Sequence, residues 1–146
     1  WGLWGSLCLI LAASAAVSIQ LQPNYEVLEN TEVVWQKPSA KPHALLLIAH
    51  GCSHSAVDFW PKSERCPTCL GLPQEVNITR TALSRGWAVL AVSSAEREHR
   101  CWRPSPPQAA PSQDTLNVKG VLTAWLKREI GEQGSESSSS NSSNSS

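Results

Sequence analysis

The sequence predicts an α/β fold whose sheet is mostly parallel and incomplete, and three observations carry that expectation. The run Ala44-Leu45-Leu46-Leu47-Ile48-Ala49 is too short for a membrane span and suits a strand buried on both faces. A second apolar run, Trp87 to Val92, follows a helical stretch from Gln74 to Arg85 that Pro73 opens and Gly86 closes. Strand, loop, helix and strand make a right-handed βαβ unit with its two strands parallel. An amphipathic helix from Asp114 to Gly131 completes the pattern, with Val118, Val121, Leu122, Trp125 and Ile130 on one stripe.

Taken in order, the chain opens on Leu3 to Val17, apolar and rich in small residues. Ala13 and Ala15, or Ala16 and Ser18, fit an A-x-A-like cleavage pattern, so residues 1–18 are read as a signal peptide. An uncleaved signal anchor is the alternative, and only that would hold the chain at a membrane. Either sends the domain, residues 19–131, into the secretory pathway, lumenal or extracellular. The chain starts at Trp1 and has no methionine, which suggests a fragment or a processed product.

Gln20 to Asn30 is polar and gives no clear element, whereas Glu32-Val33-Val34-Trp35-Gln36 reads as an outer strand. Pro38 to Pro42 is a turn. Residues 51 to 73 hold glycine, cysteine and proline without helical period, and so form a long irregular loop of the kind that is usually functional or covalently tied. Ala95 to Pro111 is loop again. Asp114 suits the N-cap of the last helix and Gly131 its C′ position. Residues 132–146 are a Ser/Asn-rich tail, expected to be disordered because nothing in it can bury.

A length of 146 residues allows one ordinary domain. Twelve basic and twelve acidic side chains cancel, leaving no electrostatic footprint for nucleic acid. With Cys8 in the leader, Cys52, Cys66, Cys69 and Cys101 remain, an even number with three possible pairings. In an oxidising compartment they are expected to pair. A local Cys66–Cys69 bridge would leave Cys52 and Cys101 to join two loops at the carboxyl edge of the sheet. Asn77-Ile78-Thr79 is a glycosylation candidate; the sequons at Asn141 and Asn144 lie in the Ser/Asn run, where such triplets arise by chance.

The text from His50 to Trp60, HGCSHSAVDFW, with CPTCLGLP from Cys66 to Pro73, resembles a poorly characterised plant and algal branch of the α/β-hydrolase superfamily. The resemblance covers roughly Val33 to Gly131. It implies that His50-Gly51-Cys52-Ser53 is an oxyanion loop. The N–H donor would come from the residue after His-Gly, hence Cys52 with Ser53 as the backup, while His50 braces the loop. Such a loop needs preorganised donors, and glycine lets the backbone approach the substrate. The resemblance further implies a small ester or acyl substrate for the complete protein and no cofactor. In that family a strand and a GxSxG nucleophile elbow follow the amphipathic helix, and the acid and the catalytic His come later. No GxSxG occurs in this sequence, so the chain alone is expected to be inactive.

Three other readings compete for the same letters. Gly51-Cys52-Ser53-His54-Ser55 is a GxSxS close to an elbow, which would make Ser53 a nucleophile. Cys66-Pro67-Thr68-Cys69 could serve a lumenal thiol–disulfide protein, although redox pairs sit at a helix N-terminus directly after a strand. His50, His54, Cys66 and Cys69 could together hold zinc. A non-catalytic secreted interaction module is the remaining class. Asp58, Glu64, His99 and Asp114 have no partners at useful spacing and read as solvated loop or cap residues.

Overall fold

The structure, a computed structural model, describes residues 19–131. The expectations for the leader and for the Ser/Asn tail lie outside those residues. Five elements build the frame up to the crossover: β1 (Asn24–Leu28), β2 (Thr31–Gln36), β3 (Ala44–Ala49), a 3-10 turn (Ala56–Phe59) and α1 (Pro73–Ser84). β4 (Trp87–Val92) and α2 (Gln113–Glu129) complete it. The strands form one sheet in the order β1-β2-β4-β3.

The sheet is mixed, not mostly parallel. Only β3 and β4 run parallel, joined by the α1 crossover; β1 pairs antiparallel with β2, and β2 antiparallel with β4. For β1 and β2 the reason lies in Glu29 and Asn30, which both adopt left-handed backbone (φ 50° and 57°). A two-residue turn of that kind can only return the chain antiparallel. The polar stretch Gln20 to Asn30 therefore hides a strand. β2 is not an outer strand: it lies between β1 and β4, with Val33 and Val34 fully buried.

β3 and β4 both read as buried strands in the sequence, but only β4 is one. β4 has neighbours on both sides, and Ala88 to Val92 are at most 1% exposed. Among the described residues β3 lies at the end of the sheet with β4 as its only partner, Leu47 is exposed, and of the strand Ile48 alone is buried. A run of apolar residues suits burial on both faces but does not reveal whether both edges are paired.

Alternation along β4 divides the core between two layers. Val89 and Ala91 face α1 and the 3-10 turn, packing with Val34, Ile48, Phe59, Trp60, Ala82 and Leu83. Ala88, Leu90 and Val92 face α2, packing with Val33, Val121 and Trp125. The α2 stripe is thus buried at Val121 and Trp125 but not at Ile130. Ser112 caps this helix, its side chain accepting the Thr115 N–H. Asp114, expected as the cap, is buried in the first turn, where its carboxylate accepts the N–H groups of Ala95 (2.6 Å) and Arg103 (2.7 Å).

The long loop after β3 is neither free nor wholly irregular. Its 3-10 turn buries Phe59 and Trp60, and the Trp60 indole donates to Gln36 Oε1 (3.1 Å). Leu70 N–H and Leu72 N–H bond back to the carbonyls of Val57 and Asp58. Gly71 makes the return possible: its φ is +71°, and a Cβ there would lie 2.7 Å from Pro61 Cα.

Candidate functional site

His50 ends β3 and is 4% exposed. Its Nδ1 donates to the Gly51 carbonyl (2.7 Å), so Nε2 carries the lone pair and accepts the Ser94 N–H (2.9 Å). Burial pushes this imidazole below its ordinary range, and it stays neutral. The His50 carbonyl accepts the Trp102 indole N–H (2.7 Å), and the two rings stack at a tilt with centroids 5.2 Å apart. His50 braces the loop.

Beyond it the chain turns sharply. His54 N–H bonds to the Gly51 carbonyl (3.2 Å), and Ser53 takes left-handed backbone at φ 68°. The Ser53 N–H is committed to the His99 carbonyl (3.0 Å). The Cys52 N–H meets no acceptor among the described residues, and Cys52 is exposed. Of the two donors considered from the sequence, Ser53 is therefore already occupied and Cys52 is open to a ligand.

The four cysteines among the described residues all pair. Cys52 joins Cys101 (S–S 2.19 Å) across 49 residues, tying the turn to the loop after β4; Cys66 joins Cys69 (S–S 2.03 Å). Cys66 and Cys69 are at most 2% exposed, and they lie in the loop before the α1 N-cap Leu72 and not on the helix itself; their burial leaves an outside thiol no approach. The zinc set does not assemble: its two thiols are joined to each other, and both nitrogens of His50 are spent. Ser53 is followed by a 3-10 turn and not by the helix an elbow feeds, and no imidazole bonds its hydroxyl among the described residues.

Asp58 is not a solvated loop residue. It is 2% exposed, and its Oδ2 accepts the Ser55 N–H (3.1 Å) and meets His54 Nδ1 (2.9 Å). Its Oδ1 is buried without a hydrogen-bond partner among the described residues. The spacing of His54 and Asp58, four apart, was visible in the sequence, but without a helical period nothing marked the pair as facing. Glu64 is exposed as expected. His99 is exposed near Glu96 and Glu98, and the Glu96 carboxylate is spent on the N–H groups of Glu98 and His99. Asn77 is exposed on α1, while Thr79 of its sequon is buried and donates to the Phe59 carbonyl (2.9 Å).

An apolar cleft of about 570 Å³ opens beside the turn, lined by Ala49, Trp102, Pro104, Val118 and Leu122. It runs between the carboxyl end of β3 and the first half of α2, a juxtaposition that no local pattern announces. No helix among the described residues is long and apolar enough to cross a membrane. Comparison with protein-family models, with curated proteins and with solved structures finds no match.

Proposed function

We propose that His50-Gly51-Cys52-Ser53 is the oxyanion half of an acyl-transfer site, in a secreted α/β-hydrolase-like protein that acts on small esters or acyl compounds. One observation carries this reading: the Cys52 N–H is unspent at the carboxyl end of β3, in the loop leading to α1. In α/β-hydrolases one oxyanion donor comes from the loop between the third strand and the first helix. The adjoining apolar cleft fits an acyl group, and two disulfides fit an oxidising compartment. The 146 residues supply no GxSxG, and an oxyanion hole without nucleophile and base retains little of the rate.

Short activated esters and a fluorophosphonate probe test the proposal on this chain and on a longer form carrying a strand and a GxSxG elbow after α2. Labelling and turnover are expected in the longer form alone. Labelling of this chain at Ser53, abolished by Ser53→Ala, would make the turn itself the nucleophile. Silence of a folded longer form would favour an interaction module, a reading to which the unpaired edge of β3 and the exposed Leu47 lend weight.

A further inference from the structure

The triplet Asn77-Ile78-Thr79 lies in the interior of α1, and its first and last residues have opposite environments. Asn77 is exposed, and its carboxamide makes no hydrogen bond among the described residues. Asparagine is a weak helix former, so the position costs α1 a little and returns no hydrogen bond. Asn77 lines a shallow groove of about 260 Å³ together with Leu46, Ile78, Arg85 and Trp87. Ile78 is exposed and Trp87 half-buried, with the Arg85 guanidinium 5.8 Å from the indole centroid. An apolar wall with an aromatic ring and N–H donors beside it suits the face of a sugar. Thr79 in contrast is fully buried, its hydroxyl donating to the Phe59 carbonyl (2.9 Å). The hydroxyl that makes the triplet an acceptor is out of reach once α1 has packed.

We propose that Asn77 carries an N-linked glycan, attached only before α1 packs against the 3-10 turn that holds Phe59. The co-reactant is a lipid-pyrophosphate-linked oligosaccharide. The Asn77 amide nitrogen bonds to the anomeric carbon of the first sugar as that carbon's bond to the pyrophosphate oxygen breaks. The amide gives up one proton, and the lipid pyrophosphate leaves. In the folded domain the first sugar lies on the groove wall, outside the core. The modified chain therefore still buries Thr79 and closes both disulfides. The inference rests on the secretory compartment of the function proposed above and on no part of its chemistry.

The full chain is tested in two arms. In the first it is synthesised behind an initiating methionine in the presence of microsomes, and protease protection shows whether it enters their lumen. In the second, solubilised oligosaccharyl transferase and lipid-linked oligosaccharide are given the purified chain, either folded or reduced and alkylated. Cleavage after Arg65 and Arg80 gives a peptide that holds Asn77 and neither of the sequons at Asn141 and Asn144. Enzymatic deglycosylation in ¹⁸O-water marks a modified Asn77 in that peptide. The lumenal chain should carry the glycan, and the alkylated chain should be modified about tenfold or more faster than the folded one, which is reached only by local opening. Thr79→Ala should abolish modification of the alkylated chain, where folding plays no part. A lumenal chain bare at Asn77 would overturn the inference and leave the secretory reading standing. A chain outside the lumen would overturn both, and equal rates for the folded and alkylated chains would overturn the order of events.

Discussion

At the carboxyl edge of the sheet, the turn Gly51–His54 is joined to the loop after β4 by the Cys52–Cys101 bridge, by the Ser53 N–H and by the Trp102 indole. Along the flank where β1 and β2 meet α2, the fastening is ionic. Arg128 reaches Glu26 at 2.6 and 3.0 Å, and Glu129 accepts from Lys37 (2.6 Å) and Arg128 (2.8 Å), over an edge-on contact of Trp35 with Trp125. The flank consists of regular elements that already share an apolar core, so its ion pairs add little and only at the margin. The carboxyl edge is irregular backbone with exposed residues at Gly51 to Ser53 and no core of its own. Covalent and backbone bonds hold it, and the Cys52 N–H is among the amides they leave without an acceptor among the described residues.

The largest way to break this comparison is to remove the long bridge. Cys52→Ser with Cys101→Ser should cost about 4 kcal/mol in global stability, from the closure entropy of a 49-residue loop. Chemical denaturation measures it. Mild reductant should open the same bridge first, because Cys52 is exposed whereas Cys66 and Cys69 are sealed in the core. Peptide mapping after partial reduction that found Cys66–Cys69 opened first would show the burial argument wrong.

The flank should answer to acid and salt, and more weakly. Arg128→Ala should cost about 1 kcal/mol or less, with the difference shrinking at high salt. The hydrogen bonds from the Arg128 guanidinium hold the Glu26 carboxyl below its ordinary 4.5. A depressed carboxyl contributes stability that is present above the unfolded value and lost as pH falls through the folded one. Acidification below about pH 4.5 should therefore narrow the gap between the chain and Glu26→Gln. A gap that grew on acidification would reverse the sign argued here.

The sequence announced the flank and the edge unequally. The crossover β3–α1–β4 was legible because Pro73 and Gly86 bracket the helix and the two apolar runs admit few other readings. β1 was not, since Tyr25 and Val27 alternate with charge, and the turn at Glu29-Asn30 lacks the glycine that marks most such turns. The edge position of β3 was hidden because Leu45, Leu46 and Leu47 report hydrophobicity and not neighbours. At the site, the pairing of Cys66 with Cys69 and of Cys52 with Cys101 was expected, and His50-Gly51-Cys52-Ser53 could be picked out along the chain as a candidate turn. The choice of Cys52 over Ser53 could not, because it depends on the His99 carbonyl, 46 positions away. Asp58 and Asp114 were misread for the same reason: each is buried by loops that meet it only in the fold.

The Cys52 amide is where the account is most exposed to test. Cys52→Pro deletes that N–H, and Cys52→Ser keeps it; both lose the bridge, so the pair isolates the donor. In the longer form carrying GxSxG, the measurement is kcat on a short activated ester for the two variants side by side. If the amide stabilises the oxyanion, the proline variant should fall about 10²–10³-fold below the serine variant, with little change in KM. Equal kcat in two folded variants would contradict the assignment of the turn as an oxyanion loop.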